Sequence, residues 1–150
     1  MKRKIFVDSD IIMDLLAERD LFYTHAAELF TLAYKGKIAI FTTALVLSNV
    51  FYMLRKIKGN AESKRQLKDL RLLVNILPIS ENIVDMSLNS IITDFEDGLQ
   101  YFTAKENDLL AIITRNGNDY KIKDIIIQTA EDYIKMNKNN LEEQVTELKE

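Results

Sequence analysis

A chain of 150 residues, 47% of them apolar, is long enough for one domain with a sizeable core and too apolar for wholesale disorder. It holds no cysteine, which excludes disulfides, thiolate zinc sites and a cysteine nucleophile together. A net charge of −3 does not by itself announce a nucleic-acid binder, and the distribution is uneven. Arg55, Lys56, Lys58, Lys64, Arg65, Lys68 and Arg71 face only Glu62 and Asp69 within the same segment, so it carries +5 and leaves −8 elsewhere. Such a patch either steers a polyanion towards an acidic site or is a solvated helix face.

The basic start Met1-Lys2-Arg3-Lys4 is followed by an apolar run that ends at Asp8, too short for a signal peptide. No stretch approaches a membrane span, so the expectation is a cytoplasmic protein with no membrane partner. Ile5 to Val7 read as a buried strand, followed by a helix with Ile11, Ile12, Leu15 and Leu16 on one stripe and Ser9 or Asp10 as its cap. Tyr23 to Lys35 predicts a second helix stopped by Gly36, and Lys37 to Thr42 a second strand. Thr43 to Lys58 is a largely apolar helix ending near Gly59, and about Ala61 to Val74 a helix with Lys64, Lys68 and Arg71 on one face. Asn75 to Ile79 predicts a strand whose end the only proline, Pro78, marks. Ser80 caps a helix to about Asn89, and Asp94 opens another. The run Leu109 to Ile113 is a strand stopped by Thr114-Arg115-Asn116-Gly117-Asn118-Asp119, Asp124 to Ile127 is a last strand, and Thr129 caps a helix from Ala130 to Met136. Residues 1–137 are read as the domain and 138–150 as a charged tail. Alternating strands and helices predict an α/β fold with a mainly parallel sheet of four to five strands between helix layers.

In such sheets ligands bind beyond the carboxyl ends of the strands. Asp8, Asp94, Asp97 and Asp119 are the candidates for that edge, with Asp10 and Glu96 behind them. Asp94 and Asp97, three apart, share a face at a helix N-terminus, where the dipole favours carboxylates. Acids held close repel unless a cation offsets them, and Mg²⁺ or Mn²⁺ suits oxygen donors. Asp10 and Asp94 read equally well as helix caps, and Asp119 as a turn residue. Asp8 has no packing role directly after an apolar strand. His25 reads as structural, and Tyr101 and Phe102 as core rather than as a base-stacking platform.

Taken in order, "IFVDSDIIMDLL", "TTALVLSNVFYML", "DFEDGLQYFTA" and "AIITRNGNDYK" resemble a PIN domain, the fold of VapC-type toxin ribonucleases. The resemblance extends to "IIIQTAEDYI" and implies a metal-dependent endonuclease acting on single-stranded RNA, a co-expressed antitoxin that covers the site, and a homo-oligomer, at least a dimer. It places catalytic and metal-binding acids on Asp8, Asp97 and Asp119, with Asp94 one turn earlier as a further ligand. Asn49, Asn116, Thr114, Ser9 and Asp10 would line the site. Arg115 would contact RNA phosphate, and Lys64, Lys68 and Arg71 would draw RNA in. Two positions depart from the family pattern, because a glutamate on the third helix falls on Asn49 and an acid after the fourth strand falls on Asn116. An amide oxygen can ligate Mg²⁺ but brings no charge. A second reading is therefore a module that binds RNA or protein on the same fold without efficient cleavage. A third rests on Asp8-Ser9-Asp10, which resembles the nucleophile motif of haloacid-dehalogenase-type phosphatases.

Overall fold

The computed structural model describes residues 2–122 and 124–147, with the side chains of Asp119 and of residues 139–147 left outside the description. Five strands form one sheet in the order β3-β2-β1-β4-β5, every pairing parallel. The first strand in the chain, β1 (Arg3–Val7), lies at the centre between β2 (Ile38–Thr43) and β4 (Ala111–Ile113). Its Ile5, Phe6 and Val7 are fully buried, as expected of a parallel strand covered on both faces by crossover helices. The edges are β3 (Val74–Leu77) and β5 (Ile126–Gln128). The sheet is the parallel α/β arrangement that the alternation of elements predicts.

The helices follow the expected order. They are α1 (Ser9–Leu16), α2 (Tyr23–Tyr34), α3 (Ala44–Lys58), α4 (Asn60–Arg71), α5 (Glu81–Leu88), α6 (Phe95–Glu106) and α7 (Ala130–Glu147). Gly59, at φ +80°, turns the chain between α3 and α4 in a conformation that a side chain would strain. Helix α3 buries only the stripe Val46, Val50 and Leu54, so its apolar surface is not enclosed on most sides. Val74 belongs to β3 rather than to the preceding helix. It pairs with Ile40, and its carbonyl accepts from Arg71 Nη1 at 2.9 Å, which closes the turn after α4. The last strand begins two residues late because Asp124 instead receives the Tyr101 hydroxyl and the Lys105 ammonium. The backbone of α7 runs on past position 137 to Glu147. Among the described residues no helix is long and apolar enough to cross a membrane.

Helix α6 is held against α5 by a close approach. A Cβ at Gly98 would sit 3.2 Å from Ser87 Cβ, so the glycine sets how near the two helices come. That contact places the first turn of α6, with Glu96 and Asp97, over the carboxyl edge of the sheet.

Candidate active site

Asp8 follows β1 directly and is only 5% exposed. It, not Ser9 or Asp10, is the cap of α1, because its Oδ1 accepts from Ser9 N at 2.6 Å. Asp10 instead accepts from the next amide, Ile11 N, at 2.8 Å. The Asp8 carboxylate also accepts from two segments distant in the chain. Gln100 Nε2, on α6, donates to Oδ1 at 3.1 Å. Thr114 Oγ1, just after β4, donates to Oδ2 at 2.9 Å. Tyr120 then donates to Gln100 Oε1 at 2.8 Å, which fixes the amide so that its nitrogen faces Asp8. Neither Gln100 nor Tyr120 stood among the expected site residues. Gln100 lies three residues beyond Asp97 in the same helix, and that spacing was the available signal.

The other acids are disposed around this anchor. Asp97 joins Asp8 beside the Tyr120 hydroxyl, whose pKa is pushed far up by burial and then by the charges of Asp8 and Asp97. Tyr120 therefore stays a protonated donor at any ordinary pH. Asp94 caps α6, accepting from Asp97 N at 2.9 Å, and is exposed. Glu96 accepts from Asn49 Nδ2 at 2.6 Å, so Asn49 does face this edge of the fold. Burial raises the Glu96 pKa, and Asp8 and Asp94 add to the rise. Asp10 accepts from Arg115 N at 2.8 Å, yet burial and then Asp8 lift its pKa to about 6. The Asn116 amide donates to Thr114 Oγ1 at 3.1 Å, and its side chain is exposed. Gly117–Asp119 form a short 3₁₀ turn, and the Asp119 side chain lies outside the described residues.

Arg115 is engaged differently from a phosphate-binding group. Its Nε and Nη2 each donate to Asp14 at 2.9 Å, and its guanidinium stacks 4.0 Å from the Phe22 ring centre. Lys64, Lys68 and Arg71 are exposed on α4, while Arg65 between them is paired with Glu62 and Asp69. Tyr101 is buried, as expected of a core residue.

The donor set suits a hard divalent cation. Asp8 adds to the raised pKa of Asp10, and Asp8 and Asp94 to that of Glu96, while Arg115 beside them is already paired with Asp14. Among the described residues no three acids are gathered closely enough to enclose an ion. Mg²⁺ needs only one or two carboxylates, because it keeps several of its waters.

Matched against known families, residues 4–118 fit the PIN-domain model. The chain belongs to the PIN-domain family. This PIN domain is 28% identical over 138 residues to Ribonuclease VapC1 of Aquifex aeolicus, covering 87% of this chain and 92% of the relative. Among solved structures it resembles Mycobacterium tuberculosis VapC20, a sarcin-ricin-loop-cleaving toxin, at TM-score 0.63 and 15% identity over 77% of this chain and 92% of that one. It also resembles VapBC2 of Rickettsia felis, solved bound to a DNA fragment from its promoter, at TM-score 0.61 and 18% identity over 84% and 98%. The short Asp8-Ser9-Asp10 motif is thus the opening of a PIN domain, not of a phosphatase.

The raised pKa of Asp10 has a signed consequence. The native state holds its proton up to about pH 6, the unfolded chain only to about 3.8. Between those values the native state binds more protons, so rising pH removes stability. Relative to Asp10→Asn, the native protein is expected to lose about 2 kcal/mol between pH 4 and 6.5, and to lose nothing further above that. Urea melts across that range, compared between the two proteins, measure it, and a difference independent of pH would refute the buried, charge-crowded setting of Asp10.

Proposed function

We propose that the protein is a divalent-metal-dependent endonuclease acting on single-stranded RNA, of the VapC toxin type. The observation that carries the reading is the buried Asp8 carboxylate, oriented by Thr114 and Gln100 at the carboxyl edge of the central strand with Asp97 nearby. Its similarity to Ribonuclease VapC1 supports the same activity. Asp8 and Asp97 would hold Mg²⁺ or Mn²⁺, with Asp119 and Asp94 as further carboxylates. When bound, the cation supplies a water of lowered pKa and steadies charge on the phosphate. Thr114 and Gln100 orient Asp8, and protonated Tyr120 keeps Gln100 from turning its oxygen towards the acid. VapBC2 and a Klebsiella pneumoniae toxin–antitoxin complex are among the similar folds. By that analogy its partner is an antitoxin, and the family resemblance implies that this partner covers the edge and that the toxin is at least dimeric.

The deciding experiment is cleavage of a single-stranded RNA pool with Mg²⁺, with Mn²⁺ and with chelator. Cleavage that chelator abolishes supports the proposal. RNA binding without cleavage in either metal would make the chain the binding module instead. The basic face of α4 is tested by replacing Lys64, Lys68 and Arg71 with glutamine. RNA affinity should fall, and the slope of log affinity against log salt should flatten by about 2, as expected when three phosphate contacts no longer release counterions from a single strand. An unchanged slope would leave that face merely solvated.

A further inference from the structure

Away from the acidic edge, α2 and α7 pack side by side and leave an open groove of about 910 Å³ between them. Its floor is mostly apolar, with Ala27 and Leu32 from α2 and Ile134 from α7. One end is basic. Lys35 and Lys37 line it together with Lys138 of α7, and Lys2 Nζ lies beside Gly36. At the other end His25 stands between Glu28 and Glu131. The two helices therefore run in the same direction, and the basic end is where both leave the groove. An apolar surface of this kind marks an interaction site, and cations at its mouth select an acidic occupant. The chain carries a segment of that chemistry. Leu141, Val145 and Leu148 recur at helical spacing among Glu142, Glu143, Glu147 and Glu150, with Lys149 the one cation. That segment cannot turn back into its own groove. Helix α7, whose first turns form one wall, runs unbroken to Glu147 with no glycine or proline to bend it. Each residue after Lys138 is carried about 1.5 Å further past the basic end.

We propose that the groove between α2 and α7 receives residues 141–150 of a second copy of this chain, and that the exchange is reciprocal. Each tail leaves past the basic end of its own groove and enters the other copy's groove at that end. The acids of one copy then meet the lysines of the other, and the apolar stripe covers the floor. A reciprocal contact closes on itself at two chains. The inference is independent of the nuclease reading above.

Sedimentation velocity of the full chain over a range of concentrations tests it, with variants of reversed charge. Lys35→Glu with Lys37→Glu reverses the groove, and Glu142→Lys with Glu143→Lys and Glu147→Lys reverses the tail. Each variant alone should associate about tenfold or more weakly than the native chain, because like charges then meet. Mixed in equal amounts, the two should recover the native assembly. The acidic tail of the first meets the lysines of the second, and the lysine tail of the second meets the glutamates of the first. Leu141→Ser with Val145→Ser leaves the groove untouched and should likewise weaken association, so the outcome does not hang on how the charge variants fold. A native chain that stays monomeric throughout would overturn the proposal. Undiminished association in the groove or the tail variant would show that the copies meet on another face. Weakened variants that fail to rescue each other on mixing would show that the tail does not enter the other copy's groove.

Discussion

Asp8→Asn should lower RNA cleavage on the order of a thousandfold while leaving the fold intact. The size of the loss follows from removing preorganised charge at the reacting centre, where a single electrostatic partner is commonly worth a hundred to a thousandfold. The fold should survive because asparagine caps helices as well as aspartate does, so the bond from Ser9 N is kept. With the amide oxygen in the Oδ1 place the bond from Gln100 loses only its charge-assisted part, while the amide nitrogen in the Oδ2 place cannot accept from Thr114 and has to donate to its Oγ1 instead. Asp97→Asn should lower cleavage alike, and it keeps the bond from its own backbone amide to the α6 cap. Cleavage rates beside urea melts separate the two effects. If Asp8→Asn cleaves within tenfold of the native protein, the centre of the reaction is elsewhere.

The second large effect is on stability. Asp14 is 1% exposed, and Arg115 gives it two bonds of 2.9 Å, while Arg19 reaches it only at 3.6 Å. Arg115→Ala therefore leaves a buried carboxylate nearly alone, a change that typically costs about 3–5 kcal/mol. For a domain of this size a loss near 3 kcal/mol lowers the melting temperature by roughly 6–12 °C. Replacing both partners, as Asp14→Leu with Arg115→Met, should recover most of the loss, because apolar pairs substitute well for buried ion pairs. An Arg115→Ala protein that melts like the native one would show that Arg115 is free to serve RNA after all.

The sheet was legible because its strands are short apolar runs bounded by polar turns, and local pattern reports local structure. Asp8 was legible for the same reason, being an acid with no packing purpose at a strand end. The contacts of Arg115 and Asn49 were not. Each is decided by a partner far along the chain, Asp14 for one and Glu96 for the other, and periodicity carries no information about such pairs. Counting charges makes Asn49 a lost carboxylate, whereas its contact makes it the neighbour of a different one. Tyr120 was hidden likewise, since its hydroxyl meets Gln100 only when the loop after β4 folds back.

The central strand is the first to be made, yet it is completed only by chain made far later. β1 lies at residues 3–7, but one of its two sheet neighbours is β4, and Thr114 reaches Asp8 across 106 positions of chain. During synthesis the N-terminal half can pair β1 with β2 while Asp8 still lacks Gln100, Thr114 and Tyr120. No early fragment can hold the carboxylate in its working orientation. This topology acts as a timer: the carboxylate is aimed only after the chain has been made as far as Thr114 and Tyr120.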